Sequence, residues 1–271
     1  IRVVIKTNGF QEIAHAEIKF QAEGGLIATA GDEKREYGQG EVFAVTPDDA
    51  MFQKGTIKVE SVVPEDKITV SSLNRGYGTP SYRGSFELFS SAEGMILVNE
   101  LPLEEYLYAV VPSEMPASYE LEALKAQAVC ARSYAYNQTQ GLSYPEYNAH
   151  VDDSTSFQVY GNSKEQESAI QAVNETQGQK LWYQNQVVTA YYYSTSCGKS
   201  TGIEAWGTTP DEQNQYLQSV EICKEDGNAY EAELPWYRWR AVVQEGVLSN
   251  LIELNTATEI GTLQNVSVTK Q

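Results

Sequence analysis

The sequence predicts an α+β fold: β-rich at the N-terminal end, helical in the middle, with further strands towards the C-terminus and a substrate cleft. Three observations carry this. Short runs rich in β-branched and aromatic residues, punctuated by Gly, Pro and Asp, fill the N-terminal third. Helical periodicity then replaces them, and strand-like runs return later. Strands, helices and strands in blocks argue against regular βαβ alternation.

The expected strands are Ile1–Lys6, Glu17–Ala22, Glu41–Val45, Thr56–Val62, Lys67–Ser72, Arg83–Phe89 and Met95–Leu101, with turns at Gly24-Gly25, Gly31-Asp32, Gly38 and Pro47-Asp48-Asp49. A first helix is expected from Pro102, with Leu103, Leu107 and Val110 on one face and Pro112 as its stop. A second opens at Ser118 as N-cap, with Glu120 and Glu122 in its first turn, and ends near Gly141. A third is framed by a capping box at Ser163 and Gln166 and by Gly178. Lys180–Tyr183, the turn Gln184-Asn185 and Gln186–Ser194 read as a hairpin. Trp236–Val243 and Leu248–Leu254 carry mixed strand and helix signals.

The 271 residues are 41% hydrophobic and 21% charged, the balance of a globular chain with a proper core. No run of apolar residues is long enough to span a membrane. No signal peptide is visible ahead of the strand-like Ile1–Ile5, which leaves room for an export signal or anchor outside this sequence. A net charge of −18 repels nucleic acid and anionic membranes, and otherwise serves solubility. Cys130, Cys197 and Cys223 allow at most one bridge and leave one thiol over.

Scarcity narrows the chemistry. With His15 and His150 as the sole histidines and no GxSxG, a Ser-His-Asp hydrolase is disfavoured. HExxH, GxGxxG after a strand and Walker A sequences are all missing, which removes support for a protein-held zinc or a bound nucleotide. Carboxylates are plentiful, and so are aromatics, with 18 Tyr and 4 Trp. Acids protonate glycosidic oxygens and aromatic faces stack on sugars, although aromatic-rich strands equally serve as core.

One acid stands out. Glu114 sits in Val110-Val111-Pro112-Ser113-Glu114-Met115-Pro116, a turn that its two prolines should make rigid. Val111 and Met115 can desolvate the carboxyl and raise its pKa, as a general acid requires. The N-terminus of the Ser118 helix opposes this by favouring the ionised form, by at most about 1 kcal/mol. The other reading of Glu114 is a cap on that helix.

Asn99–Leu107, Val110–Pro116 and Leu124–Tyr134 together resemble the stage II sporulation protein D family (SpoIID/LytB). Tyr82-Arg83-Gly84, Asp153 through Gln158-Val159-Tyr160, Val188–Lys199, Trp206-Gly207 and Tyr216–Val220 extend the likeness over about residues 82 to 220. The resemblance implies a lytic transglycosylase that cleaves the bond between N-acetylmuramic acid and N-acetylglucosamine in peptidoglycan glycan strands. It assigns the catalytic acid of the Ser-Glu-Met-Pro motif to Glu114. It also implies an extracytoplasmic location, in the cell wall or secreted, and a possible cell-wall amidase partner; no cofactor is expected. Residues 1–20 and 82–271 would form the catalytic domain, and 21–81 a β-rich subdomain or insertion.

Supporting roles follow with the resemblance. Lys125, Ala128 and Arg132 share a helix face, and Arg132 is expected to bind the lactyl carboxylate of peptide-free muramic acid through its planar fork. The other reading of Arg132 is an ion pair with a neighbouring Glu. Gln127, Asp153, Gln158, Tyr160, Tyr191, Ser194, Thr195, Ser196 and Lys199 are candidates for sugar contacts, about half of them expected in the cleft because strand residues alternate. Many relatives carry Cys-Asp-x-x-His-Cys-Gln-x-Tyr, and some bind zinc there. Here Asp152-Asp153-Ser154-Thr155-Ser156-Phe157-Gln158-Val159-Tyr160 lacks both Cys and His, so no metal is expected. The Gly-His-Gly motif usual near the C-terminus of relatives is missing up to Gln271, where a truncation is expected. Two other functions stay open: a non-catalytic wall-binding or amidase-enhancing protein, and hydrolysis with Asp152 or Asp153 activating water.

Overall fold

A computed structural model describes residues 1–267; the expectation about the chain end at Gln271 lies outside them. The strands, in chain order, are β1 (Arg2–Ile5), β2 (Ala14–His15), β3 (Ile18–Gln21), β4 (Leu26–Ala30), β5 (Glu33–Tyr37), β6 (Phe43–Val45), β7 (Ile57–Ser61), β8 (Ile68–Val70), β9 (Ser81–Tyr82), β10 (Ser85–Ser91), β11 (Gly94–Glu100), β12 (Val151–Asp152), β13 (Trp182–Tyr183) and β14 (Gln186–Val187). The helices are α1 (Leu103–Glu114), α2 (Leu121–Gln138), α3 (Glu167–Glu175) and α4 (Glu245–Thr256). The α+β class expected from the sequence is the class of the fold.

The principal sheet runs β12-β1-β11-β10-β7-β4-β5, with β2 also paired to β11. Its centre is buried on both faces, as a near-continuous apolar run such as Met95–Val98 requires. Alternation divides the side chains. Val3, Ile5, Met95 and Leu97 enter the main core, to which α1, α2 and α3 contribute Leu107, Val110, Ala128 and Val173. Val4, Ile96 and Val98 face the other way and meet Ala149, Phe89, Tyr144 and Tyr147. A second sheet, β6-β3-β8-β9, contributes Ile18, Phe20, Phe43 and Val70 to the main core.

The strands expected at Glu17–Ala22, Glu41–Val45, Thr56–Val62, Lys67–Ser72, Arg83–Phe89 and Met95–Leu101 are present within a few residues. β4 and β5 were not expected. β5 reads Glu-Lys-Arg-Glu-Tyr because it is the sheet's edge, where charge blocks pairing with another chain. β4 was hidden by two alanines between glycine turns, yet Leu26, Ala28 and Ala30 alternate inward. These two strands and β7 join the principal sheet, so the segment 21–81, expected as a β-rich subdomain or insertion, shares a sheet with β1, β10 and β11. The chain divides into compact units elsewhere, Ile1–Tyr192 and Tyr193–Gln271.

Two helix boundaries differ from expectation in ways that matter for Glu114. Pro112 lies inside α1, which continues to Glu114 instead of stopping. The Ser113 hydroxyl donates to the Ala109 carbonyl at 2.6 Å and accepts the Asn162 and Ser163 amides at 3.2 and 3.1 Å. That ties the last turn of α1 to a neighbouring loop. α2 begins at Leu121, with Glu120 and not Ser118 at the cap position. α3 starts at Glu167, after Gln166, because the Ser163 amide is already committed to Ser113.

The hairpin at 182–187 turns on Gln184 and Asn185, both at positive φ (47° and 64°), the geometry that closes a two-residue hairpin. In the second unit, 248–254 lies in α4, and no strand forms at 236–243.

Candidate functional site

Glu114 is the last residue of α1 and half-buried. Its Oε1 accepts the Val159 amide at 2.7 Å, and its carboxyl is also hydrogen-bonded by the Tyr192 side chain. Burial raises the Glu114 pKa; the bonds from Val159 and Tyr192, which favour the carboxylate, offset part of that rise. The field of a helix carboxyl end adds to the rise, because it disfavours a nearby negative charge. This reverses the sign expected from the sequence, where Glu114 was placed beside the start of the next helix.

A directional chain of hydrogen bonds leads to this acid. Tyr106 donates to the Gln158 Oε1 at 3.3 Å, and the Gln158 Nε2 donates to the Tyr192 hydroxyl at 3.0 Å and to the Ala131 carbonyl at 3.3 Å. A carbonyl can only accept, so Ala131 fixes which way the Gln158 amide points. Tyr192 therefore receives from Gln158 and has its own proton to give to Glu114. Beside this chain lies a cleft of about 260 Å³ lined by Tyr134, Thr155, Ser156, Phe157, Gln158, Tyr191 and Tyr192. Glu114 does not itself line it; Tyr192 connects the two. Burial pushes the Tyr134 phenol up to about 12 and raises that of Tyr192, so both are neutral hydroxyls at neutral pH. A larger depression of about 550 Å³, around Lys58, Glu60 and Glu100, contains none of the expected site residues.

The remaining candidates scatter. Tyr191 is about half exposed, edge-on to Tyr134 at 6.0 Å between ring centres, and lines the cleft. Gln127 is buried, with an amide nitrogen that has no partner. Lys125 pairs with Glu122 at 2.8 Å and Glu175 at 2.5 Å. Ser194 and Lys199 are exposed and Thr195 is half-buried, all in the second unit; Ser196 there donates its hydroxyl to Glu231 at 2.8 Å.

Four expected sugar-binding residues have buried side chains that are committed to protein partners. Tyr160 is packed between Tyr82 and Tyr106 and donates to the Asn99 Oδ1 at 2.7 Å. Gln158 is the relay just described. Asp153 is fully buried, accepting from Arg75 at 2.7 Å and from the Lys6 amide at 3.0 Å. Burial pushes its pKa up to about 7 against the pull of Arg75.

Arg132 is the fourth, and its expected role as a ligand for the lactyl carboxylate is corrected. It is 1% exposed and grips Glu104 with its fork, at 2.9 and 2.7 Å. Nη2 also donates to the Val173 carbonyl at 3.1 Å and Nη1 to the Gln179 carbonyl at 3.2 Å, which ties the end of α3 to α2. The ion-pair reading is the one the structure bears out.

The sequence reading missed Tyr106, Tyr134 and Tyr192 as site residues. The signal for Tyr192 is its period with the buried Val188 and Ala190, which turns it inward while Tyr191 faces out.

Asp152 accepts the Ser154 amide and hydroxyl at 2.8 and 2.6 Å and the Tyr144 hydroxyl at 2.7 Å, so it too is committed. The His150 Nδ1 accepts the Arg2 amide at 2.9 Å. Among the described residues no group of three or more His, Cys, Asp or Glu side chains is placed to hold a metal ion, and no helix is long and apolar enough to cross a membrane.

Residues 91–183, which contain the Glu114 turn and α2, match the family model SpoIID, described as stage II sporulation protein. That stretch of the chain is thus similar to the SpoIID family, the likeness its motifs implied. It is 39% identical to stage II sporulation protein D of Bacillus subtilis and 38% identical to that of Bacillus amyloliquefaciens, each match covering 45% of this chain and 39% of the relative. It is 42% identical to the amidase enhancer of Bacillus subtilis over 38% of this chain and 14% of that protein. The likeness therefore spans about two fifths of the sporulation proteins' length, and less of the enhancer's.

Proposed function

We propose that this chain acts on the bacterial cell wall as a lytic transglycosylase, cleaving the N-acetylmuramic acid–N-acetylglucosamine bond of peptidoglycan glycan strands outside the cytoplasm. The SpoIID match and the relatives' names support a cell-wall role. The observation that carries the finer reading is Glu114: a half-buried acid of raised pKa, oriented by Val159 and Tyr192, beside an aromatic cleft.

In this reading the protonated Glu114 donates its proton to the departing glycosidic oxygen. The resulting carboxylate then takes the proton of the muramoyl 6-hydroxyl as that oxygen closes onto the anomeric carbon. The nucleophile belongs to the substrate, so one carboxylate serves both steps, unlike the carboxylate pair of ordinary glycosidases. The hydrolytic alternative needs a second acid to activate water. Asp152 and Asp153, the two considered for it, are buried and already bonded to Ser154, Tyr144, Lys6 and Arg75.

Tyr192→Phe should leave cleavage in place and move its pH dependence. The Tyr192 bond favours the ionised carboxyl, so removing it raises the Glu114 pKa further. Glu114 must begin protonated, so kcat/KM falls as pH rises through that pKa. The descending limb should therefore shift to higher pH in the variant, and an unmoved limb would detach Tyr192 from the acid.

Incubation with purified glycan strands tests for catalysis itself. Soluble fragments should be released, and release should continue in EDTA, since no step of this mechanism draws on a metal. Binding without release would favour the amidase-enhancing alternative, and loss of release in EDTA with recovery on adding zinc would contradict the metal-free mechanism.

A further inference from the structure

The second unit holds two cysteines whose placement the site does not use. Lys199 and Glu221 are partners in an antiparallel bridge. On either side of that pair, the Ser200 amide donates to the Val220 carbonyl at 2.8 Å and the Ile222 amide to the Gly198 carbonyl at 2.9 Å. Lys199 and Glu221 thus form a non-hydrogen-bonded pair, and Cys197 and Cys223 each lie two residues from it, on the side where the Ile222 amide meets the Gly198 carbonyl.

A non-hydrogen-bonded pair holds its Cα atoms about 4.5 Å apart, so Lys199 and Glu221 bring together the two segments that carry Cys197 and Cys223. The sulfurs follow this placement: the Cys223 Sγ lies 3.9 Å from the Gly198 carbonyl oxygen and the Cys197 Sγ 4.0 Å from that of Lys199, the very next residue. Between the two strands Gly198 adopts φ +90°, a left-handed conformation that a side chain would resist, and it gives Cys197 freedom to turn towards its partner. Cys223 is held from its other side by a bridge to Ala229. Both thiols are free in this structure, Cys197 exposed and Cys223 half-buried.

We infer that Cys197 and Cys223 are a disulfide-forming pair, closed by thiol–disulfide exchange with a small-molecule disulfide. The exposed Cys197 thiolate attacks one sulfur of the oxidant and releases one thiol, leaving a mixed disulfide. Cys223 then loses its proton, attacks the Cys197 sulfur and displaces the second thiol. The two cysteines together give up two protons and two electrons, and the oxidant becomes two thiols. The bridge pins Ser196 and Lys199 to the strand through Cys223, and it persists where the surroundings are oxidising. Cys130 lies on α2 in the other unit, half-buried among its neighbours, and stays a thiol.

The whole chain, equilibrated with oxidised and reduced glutathione, then alkylated and digested without reductant, tests this. The expected result is a chain two hydrogens lighter before alkylation, a linked pair of peptides containing Cys197 and Cys223, and a single alkylated cysteine, Cys130. Cys130→Ser should keep the bridge. Cys223→Ser should abolish it and leave Cys197 as a glutathione adduct or a free thiol. Alkylation of both Cys197 and Cys223, or a link from either to Cys130, would overturn the inference.

Discussion

Glu114→Gln is expected to lower glycan cleavage by roughly 10²–10⁴-fold, the range general acid catalysis supplies. Glutamine keeps the size of the side chain and an oxygen to accept the Val159 amide, so the turn and the thermal midpoint should survive. What it loses is a proton that can be transferred. The same substitution removes the base of the second step, so no partial reaction should accumulate. Near wild-type turnover in this variant, measured on purified strands, would remove Glu114 from the mechanism.

Arg132→Met should unfold the protein at markedly lower temperature without acting on the chemistry directly. Removing one partner of a buried ion pair costs about 3–5 kcal/mol. Here the loss leaves Glu104 with the Gly178 amide and takes a donor from the Val173 and Gln179 carbonyls. For a chain of this size that corresponds to a midpoint lowered by roughly ten degrees. Arg132→Lys should recover part of it, because an ammonium keeps the charge and loses the planar fork that spans both Glu104 oxygens. A native midpoint in Arg132→Met with impaired binding of peptide-free strands would return Arg132 to the role of a substrate ligand.

These two residues also show what the sequence made legible. Glu114 stood out because it lies between two prolines in an otherwise apolar turn, and the family resemblance, not the turn itself, favoured an acid over a helix cap. The electrostatics around it were misjudged because Pro112 was read as a stop. The helix runs two residues past it, which puts Glu114 at a carboxyl end and not before an amino end. Arg132 stood out as well, but no spacing rule tells whether an arginine on a shared helix face turns to solvent or to a half-buried glutamate 28 positions away. That is decided by the packing of α1 on α2. Gln158 and Tyr160 have the same history: polar residues in a strand-like run, drawn inward by Tyr106 and Asn99. β5 escaped notice for the opposite reason, since an edge strand is selected to look unlike a strand. The strands that fill the core were legible because their apolar residues have no other place to go.

The central claim is that Glu114 directs an intramolecular transfer and not the addition of water. Mass spectrometry of the ends released from purified glycan strands tests it most directly. The account predicts products one water lighter than hydrolytic fragments, each ending in 1,6-anhydromuramic acid, with their formation suppressed in Glu114→Gln. Fragments with reducing ends, formed with the uptake of solvent oxygen, would contradict it and require an activated water near Glu114.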